Sequence, residues 1–260
     1  MTRRFSAAAL LLLILPAGAQ AQMVLNQAPA EKYRLRLEYR WLRSQLEGEV
    51  QRGVLDVPGT DFDMKSDLGF ADDRTWEARG TIRIGQSWKL RVGYTRLDYL
   101  GNIVLDRTIR YGGTSFGRGE DVTSTLKGGY WAGELEWDIV NRKQGYFGFL
   151  GGAQAPDVDT VISSPDTGKR VQDTFRPVSP VIGIAGRAYT GRVSIEVFAK
   201  SFPKISGRRV TDAEATARIH LSDRFAIQGG YRYLSFKLEQ DPDIANIKVK
   251  GWVYGVEVGL

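Results

Sequence analysis

The chain has 260 residues, no Cys and a formal net charge of +6, with acidic and basic residues mixed along its length. The absence of Cys excludes disulfides and thiolate metal sites, and the scattered charge does not indicate a nucleic-acid-binding surface. Hydrophobic residues make up 42% of the chain, yet its mean hydropathy is −0.27. After the N-terminal segment, no apolar run is long enough for a membrane-spanning helix.

The first residues have the pattern of an export signal. Two arginines precede an apolar core over residues 7–15, which is too short to span a bilayer. A proline ends this core, and Ala19-Gln20-Ala21 has the small-x-small pattern of a cleavage site. The sequence therefore predicts a cleaved signal peptide over residues 1–21 and a mature domain over residues 22–260. An uncleaved membrane anchor is the alternative.

The last ten residues, GWVYGVEVGL, alternate with the period of a β-strand. One face carries Trp252, Tyr254, Val256, Val258 and Leu260, and the other carries mostly glycine. In water, a strand that ends a chain on an apolar residue would leave an exposed edge. In lipid the same strand closes a barrel, because unpaired backbone groups are not tolerated there.

Earlier segments alternate in the same way and have about the length that a tilted strand needs to cross a bilayer. They begin near Tyr33, Thr75, Trp88, Trp131, Tyr146, Ile182, Val193, Ala213 and Phe225. With the closing strand, the sequence predicts an all-β, transmembrane up-and-down antiparallel β-barrel of about ten strands.

Short and long connections alternate between these segments. The short ones are residues 85–87, 141–145, 190–192 and 222–224, and the long ones are residues 42–74, 101–121, 155–177, 201–210 and 239–247. Outer-membrane barrels have short periplasmic turns and long extracellular loops, so this order predicts that both termini are periplasmic.

Aromatic residues concentrate at the predicted strand ends. Tyr33, Trp88, Trp137, Phe147 and Phe225 fall at the periplasmic ends, and Trp41, Trp76, Tyr94, Trp131, Tyr233 and Trp252 fall at the outer ends. Two such belts are typical of the two membrane interfaces. The main alternative is a soluble periplasmic barrel or sandwich with its apolar face inward, but paired aromatic belts have no role there.

These features carry a resemblance to a known family. The closing GWVYGVEVGL, the GYRYLSF stretch at 230–236 and the export signal resemble the small outer-membrane β-barrel superfamily, which includes the transmembrane domain of outer membrane protein A. The DFDMKSDLGF stretch at 61–70 resembles a loop in uncharacterised members. The resemblance implies assembly by the barrel-assembly machinery through the C-terminal strand, although Leu260 stands where the family usually has Phe.

Charged residues share the inward face of the predicted strands. The register predicts that Lys89 and Arg91 lie level with Glu136 and Asp138 on the next strand. It also predicts that Arg34 or Arg36 meets Glu257 across the closing seam. A barrel of about eight strands is filled by side chains, whereas open channels need about 16. We therefore expect a plugged lumen crossed by ion pairs; wetted, unpaired side chains are the alternative.

Six basic residues share the outward face just beyond the outer aromatic belt. They are Arg43, Arg74, Arg96, Lys127, Lys237 and Lys250. A ring of this kind would pair with the phosphates of lipopolysaccharide in the outer leaflet. Ordinary hairpin charges in solvent explain the pattern equally well.

Catalytic and metal-binding patterns are sparse. The single His, His220, shares a face with Ser222, as in the His-x-Ser of lipid A deacylases, but it falls near a predicted periplasmic turn, away from surface substrates. The acidic first loop carries Asp56, Asp61, Asp63, Asp67, Asp72 and Asp73. Carboxylates are Ca²⁺ ligands, but this spacing does not match an EF-hand, so a solvated loop is preferred and no metal or cofactor is predicted.

The sequence thus favours a non-enzymatic, surface-exposed barrel of the bacterial outer membrane with a structural or interaction role. A narrow, porin-like pore for ions or small solutes is the first alternative. An outer-membrane hydrolase that acts on lipid A or peptide is the second.

Overall fold

The computed structural model describes residues 28–53, 59–203, 207–240 and 243–260, so the predicted signal peptide lies outside the described residues. A short 3₁₀ helix, Pro29–Glu31, precedes the first strand. Within the described residues, no helix has the length and apolarity that a membrane span requires.

Ten long antiparallel strands make one closed sheet. They are β1 (Leu35–Gln51), β2 (Asp73–Ile84), β3 (Trp88–Val104), β4 (Asp121–Arg142), β5 (Gly145–Ser163), β6 (Ser179–Thr190), β7 (Val193–Ser201), β8 (Arg208–His220), β9 (Phe225–Gln240) and β10 (Asp243–Gly259). Each strand pairs with the next along the chain, and β10 pairs with β1 to close the barrel. The predicted all-β, up-and-down antiparallel barrel is therefore confirmed.

Four shorter strands lie in the described parts of the connections. Phe62–Asp63 pairs with β1, and Arg170–Phe175 pairs with the far end of β5. Ile109–Tyr111 and Thr114–Phe116 form a small hairpin of their own. The long connections are therefore partly ordered by backbone hydrogen bonds.

The apolar face of the strands points outward and the charged face points inward. On β1, Leu37, Tyr39 and Trp41 are 41–45% exposed. Their neighbours Arg36, Glu38 and Arg40 are at most 6% exposed. An apolar outer band around a polar interior is the pattern of a barrel in lipid, whereas a soluble barrel has the reverse.

The two ends of the barrel differ. The end that we call the turn end holds Leu260 and the short turns at 85–87, 143–144, 191–192 and 221–224. The opposite end, the loop end, carries the long connections. Trp88 and Trp137 stack at the turn end with ring centroids 5.9 Å apart. The ring centroids of Tyr94 and Trp131 lie 4.6 Å apart toward the loop end.

Tyr33 does not join the turn-end belt as expected. It lies before the start of β1, and its ring is 6% exposed beneath the lumen. The guanidinium of Arg36 lies 4.9 Å from the ring centroid. The predicted alternation extends too far toward the N-terminus, so it places Tyr33 and Arg34 on the wrong faces.

The long loops predicted from sequence contain substantial stretches of strand. β1 continues to Gln51, and β5 continues to Ser163. Beyond Leu42 the inward face stays buried at Ser44 and Leu46, while the outward face becomes polar. A polar outward face resembles a loop in sequence, but here it marks the part of the strand that extends past the apolar band.

Candidate functional site

The lumen contains a balanced set of charged side chains at the level of the apolar band. Equal numbers of cations and anions point inward and are buried or half-buried. The cations are Arg36, Arg40, Arg79, Arg83, Lys89, Arg91, Arg187, Lys200, Arg218 and Arg232; the anions are Glu31, Glu38, Glu77, Glu134, Glu136, Asp138, Glu196, Asp212, Glu214 and Glu257. Because buried charges are costly unless paired, this balance requires an extended ion-pair network.

The pairs anticipated from the strand register lie close together. Lys89 Nζ is 3.0 Å from Glu136 Oε1 and 2.9 Å from Asp138 Oδ2. Arg91 pairs with the other oxygen of Glu136. These contacts follow from the pairing of β3 with β4, which sets Lys89 opposite Glu136.

At the closing seam between β1 and β10, only one of the two arginines predicted to meet Glu257 lies near it. Arg36 Nε lies 3.9 Å from Glu257 Oε2. Arg34, by contrast, precedes β1 and has an exposed side chain. Its backbone N–H donates to the carbonyl of Leu260 at 2.8 Å, so Arg34 contributes to closure through its main chain.

Other pairs join strands that are not neighbours, which periodicity alone does not reveal. Arg91 on β3 donates to Glu196 on β7 at 3.0 Å. Arg187 on β6 donates to Glu257 on β10 at 2.9 Å. Such contacts cross the lumen and tie opposite walls of the barrel together.

A second section of the network lies nearer the loop end. Arg40 on β1 bridges Glu77 on β2 and Glu214 on β8. Arg232 on β9 donates to Glu77 at 2.9 Å and to Asp212 at 2.9 Å. A cavity of about 30 Å³ beside Glu77 and Arg232 is large enough for only one or two water molecules.

Glu31 belongs to the network although no sequence pattern indicates it. The helix Pro29–Glu31 carries this carboxylate into the turn end of the lumen, where it is 1% exposed. Arg83 donates to it at 2.6 Å and Arg36 at 3.4 Å, and the Tyr189 hydroxyl also donates to it. Glu31 precedes the first strand, so strand alternation cannot identify its face.

Above the ion pairs, the lumen becomes apolar. Inward-facing Leu46, Leu97, Leu126, Leu234 and Val249 form a buried cluster toward the loop end. The loops extend this cluster inward with Phe62, Met64, Leu68, Phe70, Ile109, Tyr111 and Phe116. The change from charged to apolar lining divides the lumen into two sections with different chemistry. Continuing the strand alternation past the outer belt would have revealed the apolar face of the walls, but not the inward-folded loops.

The loops are fastened to one another by buried and half-buried carboxylates. Glu120 accepts hydrogen bonds from the Thr167 hydroxyl, from the Gly117 N–H at 2.6 Å and from Lys169 at 2.9 Å. The bond from Thr167 has the largest effect, and together these donors lower the pKa of Glu120 to about 2. Glu120 therefore stays ionised and connects the second and third loops under ordinary conditions.

Two carboxylates of the acidic first loop, Asp63 and Asp67, accept hydrogen bonds from within the loop and from the second loop. Asp63 Oδ1 accepts the N–H groups of Lys65 and Ser66, and Asp67 accepts from Arg107 at 2.6 Å. Burial raises the pKa of Asp67, but the hydrogen bonds from Arg107 and the Asp63 N–H, together with the charge of Arg107, outweigh it, so the net shift is downward. Among the described residues, no cluster of three or more acidic or His ligands is arranged for a metal; Asp56 lies outside them.

Five of the six residues of the basic ring have described side chains, and these occupy outward positions; the side chain of Arg74 is outside the described part of the structure. Arg43 is exposed, and its register partners are Arg74 on β2 and Trp252 on β10. Arg96 pairs with Asp98 at 2.7 Å, and Lys250 pairs with Glu47 at 2.7 Å.

The two remaining members of the basic ring are also exposed. Lys127 lies opposite Asp98 in the β3–β4 register, and Lys237 lies further along β9, opposite Asn246. The ring is therefore interleaved with carboxylates at several positions, and these would compete with phosphate for the cations.

His220 is paired with a different serine from the one its sequence neighbourhood suggests. Its Nε2 lies 2.8 Å from Ser194 Oγ, and both residues are buried at the turn end of the lumen. Ser222 instead accepts hydrogen bonds from the N–H groups of Arg224 and Phe225 in the adjacent turn. His220 and Ser222 are therefore not brought together.

Comparison with known proteins identifies the fold. The chain is similar to the outer membrane protease OmpT from Escherichia coli, with a TM-score of 0.57 and 9% identity over 87% of this chain and 96% of that chain. The transport unit of the autotransporter AIDA-I from Escherichia coli matches with a TM-score of 0.46 and 9% identity over 93% of this chain and 94% of that chain. No family model and no curated protein matches the sequence. The fold is that of the outer-membrane β-barrels, and identity this low carries no activity from one protein to another.

Proposed function

We propose that the chain is a non-conducting, non-enzymatic barrel of the bacterial outer membrane whose loop end faces outward and serves an interaction role. The observation that carries this proposal is the filled lumen. Ion pairs such as Arg91–Glu196 and Arg187–Glu257 cross the barrel at the level of the apolar band. Charged side chains held to each other in this way obstruct hydrated ions in the part of the lumen that the structure describes.

Planar-bilayer recording tests the closed lumen. The folded barrel, identified by its heat-modifiable migration on a gel, is added to a bilayer under voltage. Fusion without stable conductance steps is the expected result. Reproducible single-channel steps would instead favour the narrow pore.

The interaction role rests on the loop end. Its strands extend past the apolar band, and its loops are ordered by contacts such as Glu120–Thr167 and Asp67–Arg107. Loops held on a rigid barrel are where binding residues concentrate. In the described residues, the turn end has only short turns between its strands.

Labelling of intact cells tests the orientation. The chain has no Cys, so a single cysteine reports one position. Ser115→Cys, at an exposed position of the loop-end hairpin, should react with a membrane-impermeant maleimide on intact cells. Lys143→Cys, in a short turn, should react only after the outer membrane is opened. The reverse result would invert the proposed topology.

The hydrolase alternative gains no support from the described residues. Ser194 and His220 form the one serine–histidine pair found there, and it is enclosed in the lumen, away from any surface substrate. The proposed partners are lipopolysaccharide, which would bind through the basic ring, and the barrel-assembly machinery, which would bind through β10.

A further inference from the structure

The apolar section of the lumen contains a cavity that the closed barrel does not explain. Its volume is about 350 Å³, and it lies above the ion-pair network. Leu46 of β1, Leu126 of β4, Val158 of β5 and Phe236 of β9 line it. Protein interiors are close-packed, and an apolar void of this size is uncommon unless something occupies it.

The barrel wall is low on one side of this cavity. β6 begins at Ser179, which pairs with Gln154 of β5. The next residue of β5 pairs with Trp131, so β6 starts at about the level of the loop-end aromatic belt. β5 itself continues to Ser163. The cavity is lined by Val158 on one flank of the low wall and by Phe236 on the other. Here the strand Arg170–Phe175 pairs with β5 from Val158 to Ser163, and its last residues also line the cavity.

The polar groups at the rim of the cavity offer no net charge to a ligand. Arg52 pairs with Asp173 at 3.2 Å, and Arg176 pairs with Asp157 at 2.5 Å. A charged ligand would need to displace one of these partners and leave its own charge against an apolar wall. Small-molecule sites have volumes of about 300–1,000 Å³ and are lined mainly by apolar side chains. The lining, the size and the paired rim all match a neutral, lipophilic small molecule.

We propose that the loop-end cavity is a binding site for a neutral lipophilic molecule of small-hydrocarbon size. Binding transfers the hydrocarbon surface of the ligand out of water and restores contacts that the empty wall lacks. The site is independent of conduction, because the ion-pair network beneath it separates the cavity from the turn end.

Cysteine protection tests the site in the full-length folded barrel. The single variant Val158→Cys is treated with N-phenylmaleimide, a neutral lipophilic reagent, with and without naphthalene, and labelling is followed by intact mass. We expect labelling with N-phenylmaleimide, little labelling with a sulfonated maleimide, and a several-fold slower reaction in the presence of naphthalene.

The matched control is Val197→Cys, the same exchange at a valine of the outer apolar band that is 50% exposed. Naphthalene should leave its labelling rate unchanged. Equal protection of both cysteines would mean partition into the detergent or lipid and would overturn the proposal. Failure of Val158→Cys to label, or labelling that naphthalene does not slow, would also overturn it.

Two further variants complete the test. Leu238→Trp adds bulk to the cavity wall and should remove the naphthalene effect in the Val158→Cys background while heat modifiability is retained. The segment 54–58, VLDVP, follows Gly53 in the chain and lies outside the described residues. If Val158→Cys labels only after Val54, Leu55 and Val57 are replaced by Ser, the chain's own segment occupies the cavity and no ligand site exists.

Discussion

Arg40 and Glu214 face each other across the lumen, with Arg40 Nη2 3.0 Å from Glu214 Oε2. Arg40 lies on β1 and Glu214 on β8, and neither side chain is more than 2% exposed. Because Arg40 also pairs with Glu77, one guanidinium bridges two carboxylates that are remote in sequence. The ion-pair network thus acts as a cross-brace between walls that share no backbone hydrogen bonds.

Replacement of Arg40 by Met tests this cross-brace. The variant leaves Glu77 and Glu214 buried with fewer cations, which destabilises the barrel by about 3 kcal/mol, at the lower end of the range for a broken buried pair because Arg79 and Arg232 remain. Unfolding by urea in lipid vesicles, followed by Trp fluorescence, measures the free-energy change.

Arg43→Met is the control, since Arg43 lies on the outward face of the same strand. This substitution should change the free energy of unfolding by no more than about 0.5 kcal/mol. If both variants lower the free energy of unfolding by the same amount, the ion pairs of Arg40 across the lumen stabilise the barrel no more than a surface charge does.

The inward charges were predictable from sequence where strand alternation is regular. Lys89, Arg91 and Glu136 follow from a two-residue period and from Trp88 and Trp137, which mark the same end of the two neighbouring strands. Arg40–Glu214 was not predictable, because the partner across a lumen depends on barrel size and tilt rather than on neighbouring strands.

The misplaced and missed residues have two causes. Arg34 and Glu31 lie before β1, where the alternation of a strand does not apply. Extending the alternation to these positions wrongly predicts that Arg34 faces inward, and it makes no prediction for Glu31. Leu46 falls in a predicted loop because its outward neighbours are polar, although its own face is apolar. The two-residue alternation shows which way a side chain faces only for residues within a strand. A change to polar side chains on the outward face does not show that the strand ends there.

Gly101 holds the first loop against β3. It bridges Phe70, and a Cβ at this position would lie 2.2 Å from the Leu68 carbonyl oxygen. Gly101→Val should therefore displace the first loop and expose Leu68 and Phe70. Limited trypsin digestion should then cleave at Lys65 several-fold faster than in the unmodified barrel, because a displaced loop opens locally.

The matched variant is Gly133→Val, since a Cβ at Gly133 meets nothing within 4 Å. Cleavage at Lys65 should be unchanged in this variant. Equal digestion of both variants and the unmodified barrel would show that the first loop does not depend on its contact with Gly101.

The contact between the second and third loops should depend on pH through Glu120. Its pKa is lowered from 4.5 to about 2 by its hydrogen bonds in the folded barrel. The contact therefore contributes fully above pH 4.5 and is lost as the pH falls toward 2. Glu120→Gln resembles the protonated form, so it should increase backbone hydrogen exchange at Gly117 and Lys169 at neutral pH.

Comparison of Glu120→Gln with the unmodified barrel at each pH cancels the intrinsic pH dependence of exchange. The difference between them should shrink as the pH falls from 4.5 to about 2. Asp121→Asn removes the neighbouring exposed carboxylate and should have no such effect. A difference that is constant with pH would exclude ionised Glu120 as the fastening group.

Lipopolysaccharide binding by the basic ring is the prediction that also tests which end of the barrel faces out. Arg43, Arg74 and Arg96 lie beyond the loop-end aromatic belt on consecutive strands. Replacing all three by Glu reverses the local charge and should repel lipid phosphates, so co-purified lipopolysaccharide, quantified by mass spectrometry, should fall.

The control makes the same charge change at the other end with Arg142, Lys143 and Arg192, which lie at the short turns. This triple variant should retain its lipopolysaccharide. Loss in the control alone would place the turn end outward, whereas unchanged amounts in both variants would mean that the cations are satisfied by Asp98, Glu47 and solvent. The carboxylates within the ring make the expected loss partial, because Arg96 and Lys250 already have partners.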